Sequence, residues 1–287
     1  MVSSGVVPGG IDLHAHSSVS DGTEPPAGLV EAAVAAGLSA VAITDHDTLA
    51  GWPEALEAAA RTGIRLVPGL ELSCQVGPVS VHLLAYWPDP ADEVLQDELS
   101  RIRAGRDGRL PAMLAGLAAI GVHIDENQVA EAAGPAVSLG RPHLADAMVA
   151  AGYVADRKEA FDRYLREGKP GYVSRYSPDL HHAIGLVRSA GGVPVIAHPW
   201  GRSSKPVLTR AVLSDLARSG LAGLETHHLD HDGHAEAELT RLAADLGLLV
   251  TGGSDWHGVG KVDHPLGART TEPRVLDALA AQARSAG

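Results

Sequence analysis

The sequence has few of the features that mark secreted, membrane or disulfide-stabilised proteins. Cys74 is the one cysteine among 287 residues, so neither an intramolecular disulfide nor a cysteine-based zinc finger can form. The apolar runs, such as residues 38–43 and 193–197, are far too short to span a bilayer. The first ten residues lack the basic and apolar regions of a signal peptide. We therefore expect a cytoplasmic protein with no membrane contact and no obligate protein partner.

Basic residues are in the minority. Lys and Arg total 23 against 35 Asp and Glu, which gives a formal net charge of −12. An acidic surface disfavours the long-range capture of nucleic acid. A phosphorylated substrate would therefore need a local reversal of the electrostatic field, which bound metal ions can supply.

A dinucleotide-binding glycine fingerprint is absent, although strand-like and helix-like segments alternate along the chain. Apolar segments predict seven strands, at residues 10–14, 40–44, 65–70, 79–86, 193–197, 223–226 and 248–252. The helical segments between them end at glycines, namely Gly37, Gly63, Gly191, Gly220 and Gly247. This alternation predicts an α/β protein with parallel strands, and seven strands fit a barrel better than an open Rossmann sheet.

Residues 89–176 interrupt this alternation. They carry several helical patterns and no convincing strand. A single long crossover connection is one interpretation, but several helices favour a subdomain. We therefore predict a barrel domain formed by residues 1–88 and 177–287, and a helical insertion at 89–176 that covers the active site.

Residues that bind metals follow the predicted strands. His14 and His16 are two residues apart at the end of the first strand, so their side chains share one face. Asp21 follows in a Ser-Asp-Gly turn, where a plain turn role is the better interpretation of that residue alone. The pair of histidines is likewise a weak signal by itself.

The other strands repeat the pattern. Further candidates are His46 with Asp45 and Asp47 after the second strand, Glu71 after the third, His82 within the fourth, His198 after the fifth, and Asp255 and His257 after the last. Each has a structural explanation when taken alone; a buried histidine such as His82 is more often a hydrogen-bonded core residue. No single structural explanation covers all the motifs, and the carboxyl ends of strands are where α/β barrels keep their active residues.

Nine candidate ligands are too many for one ion. They fit two to three divalent ions of Mn, Zn or Fe, because the set offers imidazole and carboxylate but no thiolate. A pocket holding such ions is strongly cationic, attracts phosphate and activates water to hydroxide near neutral pH. We expect Asp21, Glu71, Asp255 and His257 to act in catalysis through the bound metals.

The chain resembles the PHP (polymerase and histidinol phosphatase) superfamily, and more closely its stand-alone branch that dephosphorylates nucleoside 3′,5′-bisphosphates. The matching motifs lie between Asp12 and about Gly258 and are DLHAHS, SDG, AITDHDT, PGLELS, VHLLAY, GRPHLADAMVAAGYV, GKPGYV, AHP and TGGSDWHG. The resemblance implies a distorted (β/α)7 TIM-like barrel with a helical insertion.

The resemblance also implies a trinuclear metal site. One ion would take His14, His16, Glu71 and Asp255; a second would share Glu71 and add His82 and His198; a third would take Asp21, His46 and His257. Arg141 and His143 in the GRPH motif would bind a substrate phosphate, and Lys169 is a weaker candidate for the same role. The sequence departs from the family at His227–His234, which we interpret as a solvated loop.

These observations predict a metal-dependent phosphatase that hydrolyses the 3′-phosphate of a nucleoside 3′,5′-bisphosphate, such as adenosine 3′,5′-bisphosphate, with a metal-activated hydroxide. One alternative is a 5′-3′ exoribonuclease acting on short RNA oligonucleotides. A second is a phosphatase for histidinol phosphate or another small phosphomonoester, which gives the GRPH motif no clear task. A non-enzymatic alternative is a metal-binding accessory module without turnover.

Overall fold

Seven short, largely apolar strands lie side by side in the order of the chain and form one sheet. The computed structural model describes residues 9–134, 139–201 and 204–284. Within these residues the strands are β1 (Ile11–Asp12), β2 (Ala40–Ile43), β3 (Arg65–Val76), β4 (Val79–Tyr86), β5 (Val193–Ile196), β6 (Gly223–His227) and β7 (Leu249–Gly252). All seven predicted strands are therefore confirmed, and β3 is longer than predicted because it continues past Leu70 to Val76.

The sheet curls into a nearly closed barrel. Beyond β7, the backbone of Asp255 donates a hydrogen bond to His14 O (2.9 Å), and the backbone of His16 donates one to Trp256 O (2.8 Å). These bonds join the segments that follow the first and last strands. The predicted α/β barrel is confirmed, and its closure brings residues from the two ends of the sheet together.

The expectation of parallel strands is wrong for β4. Strand β4 pairs antiparallel with both β3 and β5, whereas the other neighbouring strands are parallel. The reason is the connection between β3 and β4, which is only Gly77 and Pro78. Two residues can join antiparallel strands, but a parallel pair needs a crossover of a dozen or more.

Eleven α-helices are found in the described residues. They are α1 (Pro26–Ala35), α2 (Trp52–Thr62), α3 (Glu93–Asp107), α4 (Leu110–Ala118), α5 (Glu126–Ala133), α6 (Arg141–Ala150), α7 (Arg157–Ala160), α8 (Leu180–Ser189), α9 (Arg210–Arg218), α10 (Gly233–Leu246) and α11 (Pro273–Arg284). A π-helical turn (Phe161–Leu165) follows α7, and a 3-10 turn (Gly258–Lys261) follows β7. Gly63 and Gly247 cap α2 and α10 with φ values of 78° and 68°, as predicted for residues that end helices.

The strands bury apolar side chains on both faces. In β2, Val41 and Ile43 join the cluster that packs against the outer helices, whereas Ala40 and Ala42 join a second cluster that includes Leu276 and Leu279 of α11. The alternation follows from the period of two along a strand. Burial on both faces explains why the strand sequences are continuous apolar runs.

The segment between β4 and β5 is helical, as predicted, and its described residues contain no strand. Helices α4 to α7 enclose a separate apolar cluster that includes Met113, Leu117 and Leu144. Leu95 and Leu99 of α3 instead join the cluster of the barrel. The division into two domains at residues 89 and 176 stays a prediction. No helix in the described residues is long and apolar enough to cross a membrane.

Candidate metal centre

The predicted ligands meet at the end of the barrel where the parallel strands finish. His14 and His16 follow β1, and His46 follows β2. Glu71 lies in β3 and His82 in the antiparallel strand β4. The set is completed by Asp21 in the loop before α1, by His198 after β5, and by Asp255 and His257 after β7. The structure therefore brings together all nine side chains that the sequence selects.

Glu71 lies at the centre of this group and is 1% exposed. Its two carboxylate oxygens face different sets of imidazoles. Oε1 lies 2.8 Å from His82 Nδ1 and 3.1 Å from His198 Nε2. Oε2 lies 3.4 Å from His14 Nε2, 3.3 Å from His16 Nε2 and 3.1 Å from His46 Nδ1. A carboxylate with one oxygen toward each set has the geometry of a bridge between two ions.

The distances around His14 and His16 fit a shared ion better than hydrogen bonds. Their Nε2 atoms are 3.1 Å apart, and Asp255 Oδ1 lies 3.4 Å and 3.2 Å from them. Ligands bound at about 2.1 Å in tetrahedral geometry are separated by about 3.4 Å. With Glu71, these residues form one of the groups whose donor atoms lie within 4.8 Å of one another.

A second group lies beside the first and contains His16, Asp21, His46 and His257. His257 Nε2 is 3.2 Å from Asp21 Oδ1, and His46 Nε2 is 3.8 Å from Asp21 Oδ2. Asp21 lies in a turn, as predicted, but it is also 6% exposed and its carboxylate faces His257 and His46, which supports its place among the candidate ligands. His46 also forms a third group with Glu71 and His82. The chemistry and spacing of the nine donors fit several divalent cations.

The backbone is strained at this site. Asp47, His198 and Asp255 have φ values of 55°, 28° and 54°, which residues other than glycine adopt uncommonly. Such strain persists only where the surrounding structure holds it, and it clusters at functional sites. The left-handed turns at His198 and Asp255 aim their side chains toward Glu71 and the β1 histidines.

Neighbouring groups hold the pKa values of the three carboxylates of the centre, Asp21, Glu71 and Asp255, well below their usual range. Burial alone would raise the pKa of Glu71, but the neighbouring charges of His82 and His46 hold that pKa well below its usual range. Burial lowers the pKa of His14, but the charges of Glu225, Glu71 and Asp255 raise it well above its ordinary value. A proton and a metal ion compete for the same imidazole lone pair, so metal binding here releases protons and weakens as the pH falls.

A second cationic region lies directly beside the nine ligands. Asp47, the neighbour of His46, is fully buried, and its carboxylate accepts hydrogen bonds from Ser73 and Arg106 and, at 3.5 Å, from Arg175. Burial and the charge of Arg106 lower the pKa of Arg175 to about 10. Burial, with the charges of Arg175 and Arg141, lowers the pKa of Arg109 to about 9. Arg103 also donates a hydrogen bond to Asp47 O (2.7 Å). This arginine cluster (Arg103, Arg106, Arg109, Arg141 and Arg175) therefore carries more positive charge than Asp47 neutralises.

The GRPH residues begin helix α6. Arg141 donates a hydrogen bond to Leu165 O (3.2 Å), and its guanidinium lies 5.7 Å and 5.6 Å from the ring centres of Phe161 and Tyr172. His143 Nδ1 accepts from Gly140 N (3.1 Å), and the ring lines a cleft of about 210 Å³ that Asp21 also lines. Lys169 is exposed. The roles of these three residues in phosphate binding stay predictions.

Comparisons with known proteins agree with this geometry. A PHP domain model matches residues 12–128. The chain is 37% identical over 262 residues to a 3′,5′-nucleoside bisphosphate phosphatase of Chromobacterium violaceum, and the match covers 90% of each protein. The chain belongs to the PHP domain family. It is also 32% identical to a 5′-3′ exoribonuclease of Haemophilus influenzae, over 86% of this chain and 89% of that protein.

A solved structure has the same fold as this chain. The chain superposes on a Bifidobacterium adolescentis protein described as a metal-dependent phosphoesterase, with a TM-score of 0.90 and 38% identity. The match covers 95% of this chain and 96% of the other. This PHP protein is therefore a metal-dependent phosphoric ester hydrolase, and the alternative of an accessory module without turnover is not retained.

Sequence reasoning missed Glu225 and Lys261. Glu225 is fully buried, lies 3.0 Å from His14 Nδ1, and accepts a hydrogen bond from His198 N (2.9 Å). Lys261 donates to Asp255 Oδ2 (2.7 Å). Like Glu71, Glu225 is a carboxylate within an apolar strand. The same sequence pattern could therefore have identified Glu225 as a candidate site residue. Nothing around Lys261 in the sequence marks it as a residue of the site.

The interpretation of His227–His234 as a solvated loop is wrong for two of its histidines. His228 is fully buried and His231 is 5% exposed. His231 Nδ1 donates to Thr226 O (2.8 Å), which folds the loop back against β6. The side chain of His234 is 81% exposed, in agreement with the prediction.

The contact between Glu225 and His14 generates a prediction about metal affinity. A carboxylate on the outer nitrogen of a ligating histidine fixes the ring and raises its basicity. Glu225→Gln should therefore weaken the tightest divalent-metal binding about ten- to a hundredfold, measured by titration of the metal-depleted protein. The matched control is Glu236→Gln, whose carboxylate pairs with the half-exposed His227 away from the nine ligands. Equal affinities in the two variants would show that Glu225 does not orient a ligand.

Proposed function

We propose that the protein hydrolyses the 3′-phosphate of nucleoside 3′,5′-bisphosphates, with two to three divalent ions of Mn, Zn or Fe held by the nine ligands. The observation that carries this proposal is the presence of two cationic centres, one on each side of Asp47. A substrate with two phosphates needs one centre for the reacting group and another for the phosphate that stays. The Chromobacterium violaceum relative, a 3′,5′-nucleoside bisphosphate phosphatase, supports the same substrate class.

The spacing of the two centres supports this assignment. Glu71 and Ser73 lie on the same face of β3, and Ser73 Oγ accepts a hydrogen bond from Arg106 (3.3 Å). Two residues along a strand span roughly 7 Å. The first arginine contact, at Ser73, therefore lies roughly 7 Å along the strand from Glu71. A ribose ring with a phosphate ester on each side can span this separation.

Different residues of the chain would bind the metal ions, the reacting phosphate and the phosphate that stays. Glu71, Asp21 and Asp255 would hold the divalent ions, which would supply a Lewis acid for the phosphate and a lowered pKa for water. His143 accepts a hydrogen bond at Nδ1, so its neutral ring carries the proton on Nε2. The Nε2–H group can therefore donate a hydrogen bond to a phosphate oxygen in the cleft. Guanidinium groups bind phosphate through two parallel N–H bonds, so the arginine cluster orients the phosphate that stays.

A 5′-3′ exoribonuclease acting on short RNA is the second candidate, because the Haemophilus influenzae relative has that name. The arginine cluster would then hold the 5′-phosphate of an oligonucleotide while the bond at its first nucleotide is cut. The ratio of kcat/KM for a dinucleotide to that for adenosine 3′,5′-bisphosphate separates the two candidates. Histidinol phosphate has one phosphate and gives the arginine cluster no task.

The central position of Glu71 generates a prediction about turnover. Glu71→Gln keeps the size of the side chain but removes the negative charge that would hold the divalent ions. We expect kcat to fall at least about a hundredfold with the circular dichroism spectrum unchanged. Gln75→Glu, at the partly exposed end of the same strand, is the matched exchange and should leave kcat near the wild-type value. Near-normal turnover of Glu71→Gln would make Glu71 a structural residue.

The arginine cluster generates a prediction about specificity. Arg141→Ala should lower kcat/KM for adenosine 3′,5′-bisphosphate by about thirty- to a thousandfold, since a charge-assisted phosphate contact contributes roughly 2–4 kcal/mol. Hydrolysis of p-nitrophenyl phosphate, which has no second phosphate, should barely change. Arg141→Lys should recover part of the loss, because a point charge does not reproduce the planar fork.

Arg163→Ala is the control for this experiment, because Arg163 lies in the π-helical turn after α7, between the same two strands β4 and β5 as Arg141, and its side chain is half-exposed. The measurement is the ratio of mutant to wild-type kcat/KM for each of the two substrates. Equal ratios for Arg141→Ala would show that Arg141 does not bind a second phosphate.

A further inference from the structure

A guanidinium outside the arginine cluster lines the cleft that His143 shares with Asp21. This cleft of about 210 Å³ lies between the loop after β1 and the helical segment that joins β4 to β5. His143, Asp146 and Arg157 belong to its helical wall, and Asp21 belongs to the opposite wall. Arg157 is therefore placed beside a candidate metal ligand, although it is neither one of the nine ligands nor a member of the arginine cluster.

Asp146 holds the guanidinium of Arg157 from one side. Arg157 Nε and Nη2 donate hydrogen bonds to the two carboxylate oxygens of Asp146, each at 2.5 Å. A guanidinium has five N–H donors, so this pair uses two of them. Nη1 has no hydrogen-bond partner among the described residues, and the side chain is 21% exposed. The donors on Nη1 therefore remain available to a ligand in the cleft.

The 3-10 turn after His257 leaves room for this guanidinium. A Cβ atom at Gly260 would lie 2.9 Å from Arg157 Nη1 and 3.0 Å from Nη2, which is closer than packed atoms approach. A larger residue at position 260 would displace the guanidinium from its pairing with Asp146. Arg157 is therefore fixed between Asp146 and the turn that follows a candidate metal ligand.

The protonation states in the cleft suit a bound phosphate. Burial lowers the pKa of Arg157, but the hydrogen bonds and charge of Asp146, together with the charge of Asp21, raise it above its ordinary value, so the guanidinium stays charged. Burial lowers the pKa of His143, so its ring is neutral near pH 7. Because Asp146 neutralises Arg157, divalent ions beside Asp21 would supply the net attraction for phosphate, and Arg157 would supply directed hydrogen bonds.

We infer that Arg157, held in place by Asp146, donates hydrogen bonds to the reacting phosphate of the substrate. It contacts that phosphate from the helical wall of the cleft, on the same side as His143. The inference rests on the proposed function in one respect, that the ester is hydrolysed beside Asp21, and it does not require a second phosphate. Arg157 and Arg141 therefore bind different groups, because the reacting phosphate is present in every substrate.

The binding of inorganic phosphate to the Mn²⁺-loaded protein, measured by isothermal titration calorimetry, tests this inference. Arg157→Met should weaken phosphate binding about ten- to a hundredfold, as expected for hydrogen bonds between charged groups. Asp146→Asn breaks the same ion pair but keeps the charge of Arg157, so it should weaken binding at most about fivefold, the magnitude for a partly exposed ion pair. The matched control is Arg163→Met, which breaks a half-exposed ion pair with Glu159 and should bind phosphate like the wild type.

The kinetics of the same variants identify the phosphate that Arg157 contacts. Arg157→Met should lower kcat/KM by the same factor for p-nitrophenyl phosphate and for adenosine 3′,5′-bisphosphate, because both contain the reacting group. Arg157→Lys should recover part of the loss, since it restores the charge but not the planar fork. If the protein did not hydrolyse bisphosphates, the proposed function would fail, and calorimetry with p-nitrophenyl phosphate kinetics would still decide this inference.

Equal losses of phosphate affinity in Arg157→Met and Asp146→Asn would overturn the inference and would make the two residues a structural ion pair. A loss of kcat/KM confined to the bisphosphate would also overturn it, because Arg157 would then bind the phosphate that stays. So would a loss of bound Mn²⁺ in Arg157→Met without a loss of phosphate affinity per bound ion. The inference requires weaker phosphate binding in Arg157→Met at a metal content equal to that of the wild type.

Discussion

A carboxylate buried among five imidazoles is the constraint on which the rest of the site depends. Glu71 is nearly inaccessible, and removing an ionised carboxylate from water is very unfavourable unless cations or hydrogen bonds replace the water. The imidazoles reach it from four different strands or strand ends, which explains why the barrel must close. The hydrogen bonds between the segments after β1 and β7 hold His14, His16 and Asp255 at distances that suit a shared ion.

The local electrostatics reverse the overall charge of the protein. The chain has a formal net charge of −12, yet the end of the barrel presents a metal-binding cluster and an arginine cluster side by side. Asp47 separates the two, because its backbone follows His46 while its carboxylate is bound by Arg106 and Arg175. Fixed positive charge in a partly desolvated pocket attracts a small polyphosphorylated molecule, while the acidic surface disfavours long nucleic acids.

Sequence patterns predicted the seven strands and the nine clustered side chains because both depend on local signals. A buried strand is an apolar run in the sequence, and a His, Asp or Glu that follows such a run can be recognised from the sequence alone. The antiparallel direction of β4 was not predicted, because the predicted third strand ended at residue 70 and left eight residues before the fourth, whereas β3 runs to Val76 and leaves two. The burial of His228 was missed because a loop rich in polar residues is expected to be solvated, whereas tertiary contacts decide its exposure. Apart from Arg141, the arginine cluster was not predicted, because it is assembled from helix α3, the turn before α4, helix α6 and the segment before α8.

The central claim is that catalysis depends on divalent ions held around Glu71. The most direct test is metal-depleted protein to which Mn²⁺ is added in steps, with the products of adenosine 3′,5′-bisphosphate followed by phosphorus NMR. The account predicts no turnover without metal, activity that rises over the first two to three equivalents, and AMP as the nucleotide product. Full activity in the presence of chelator, with no metal found by elemental analysis, would contradict it.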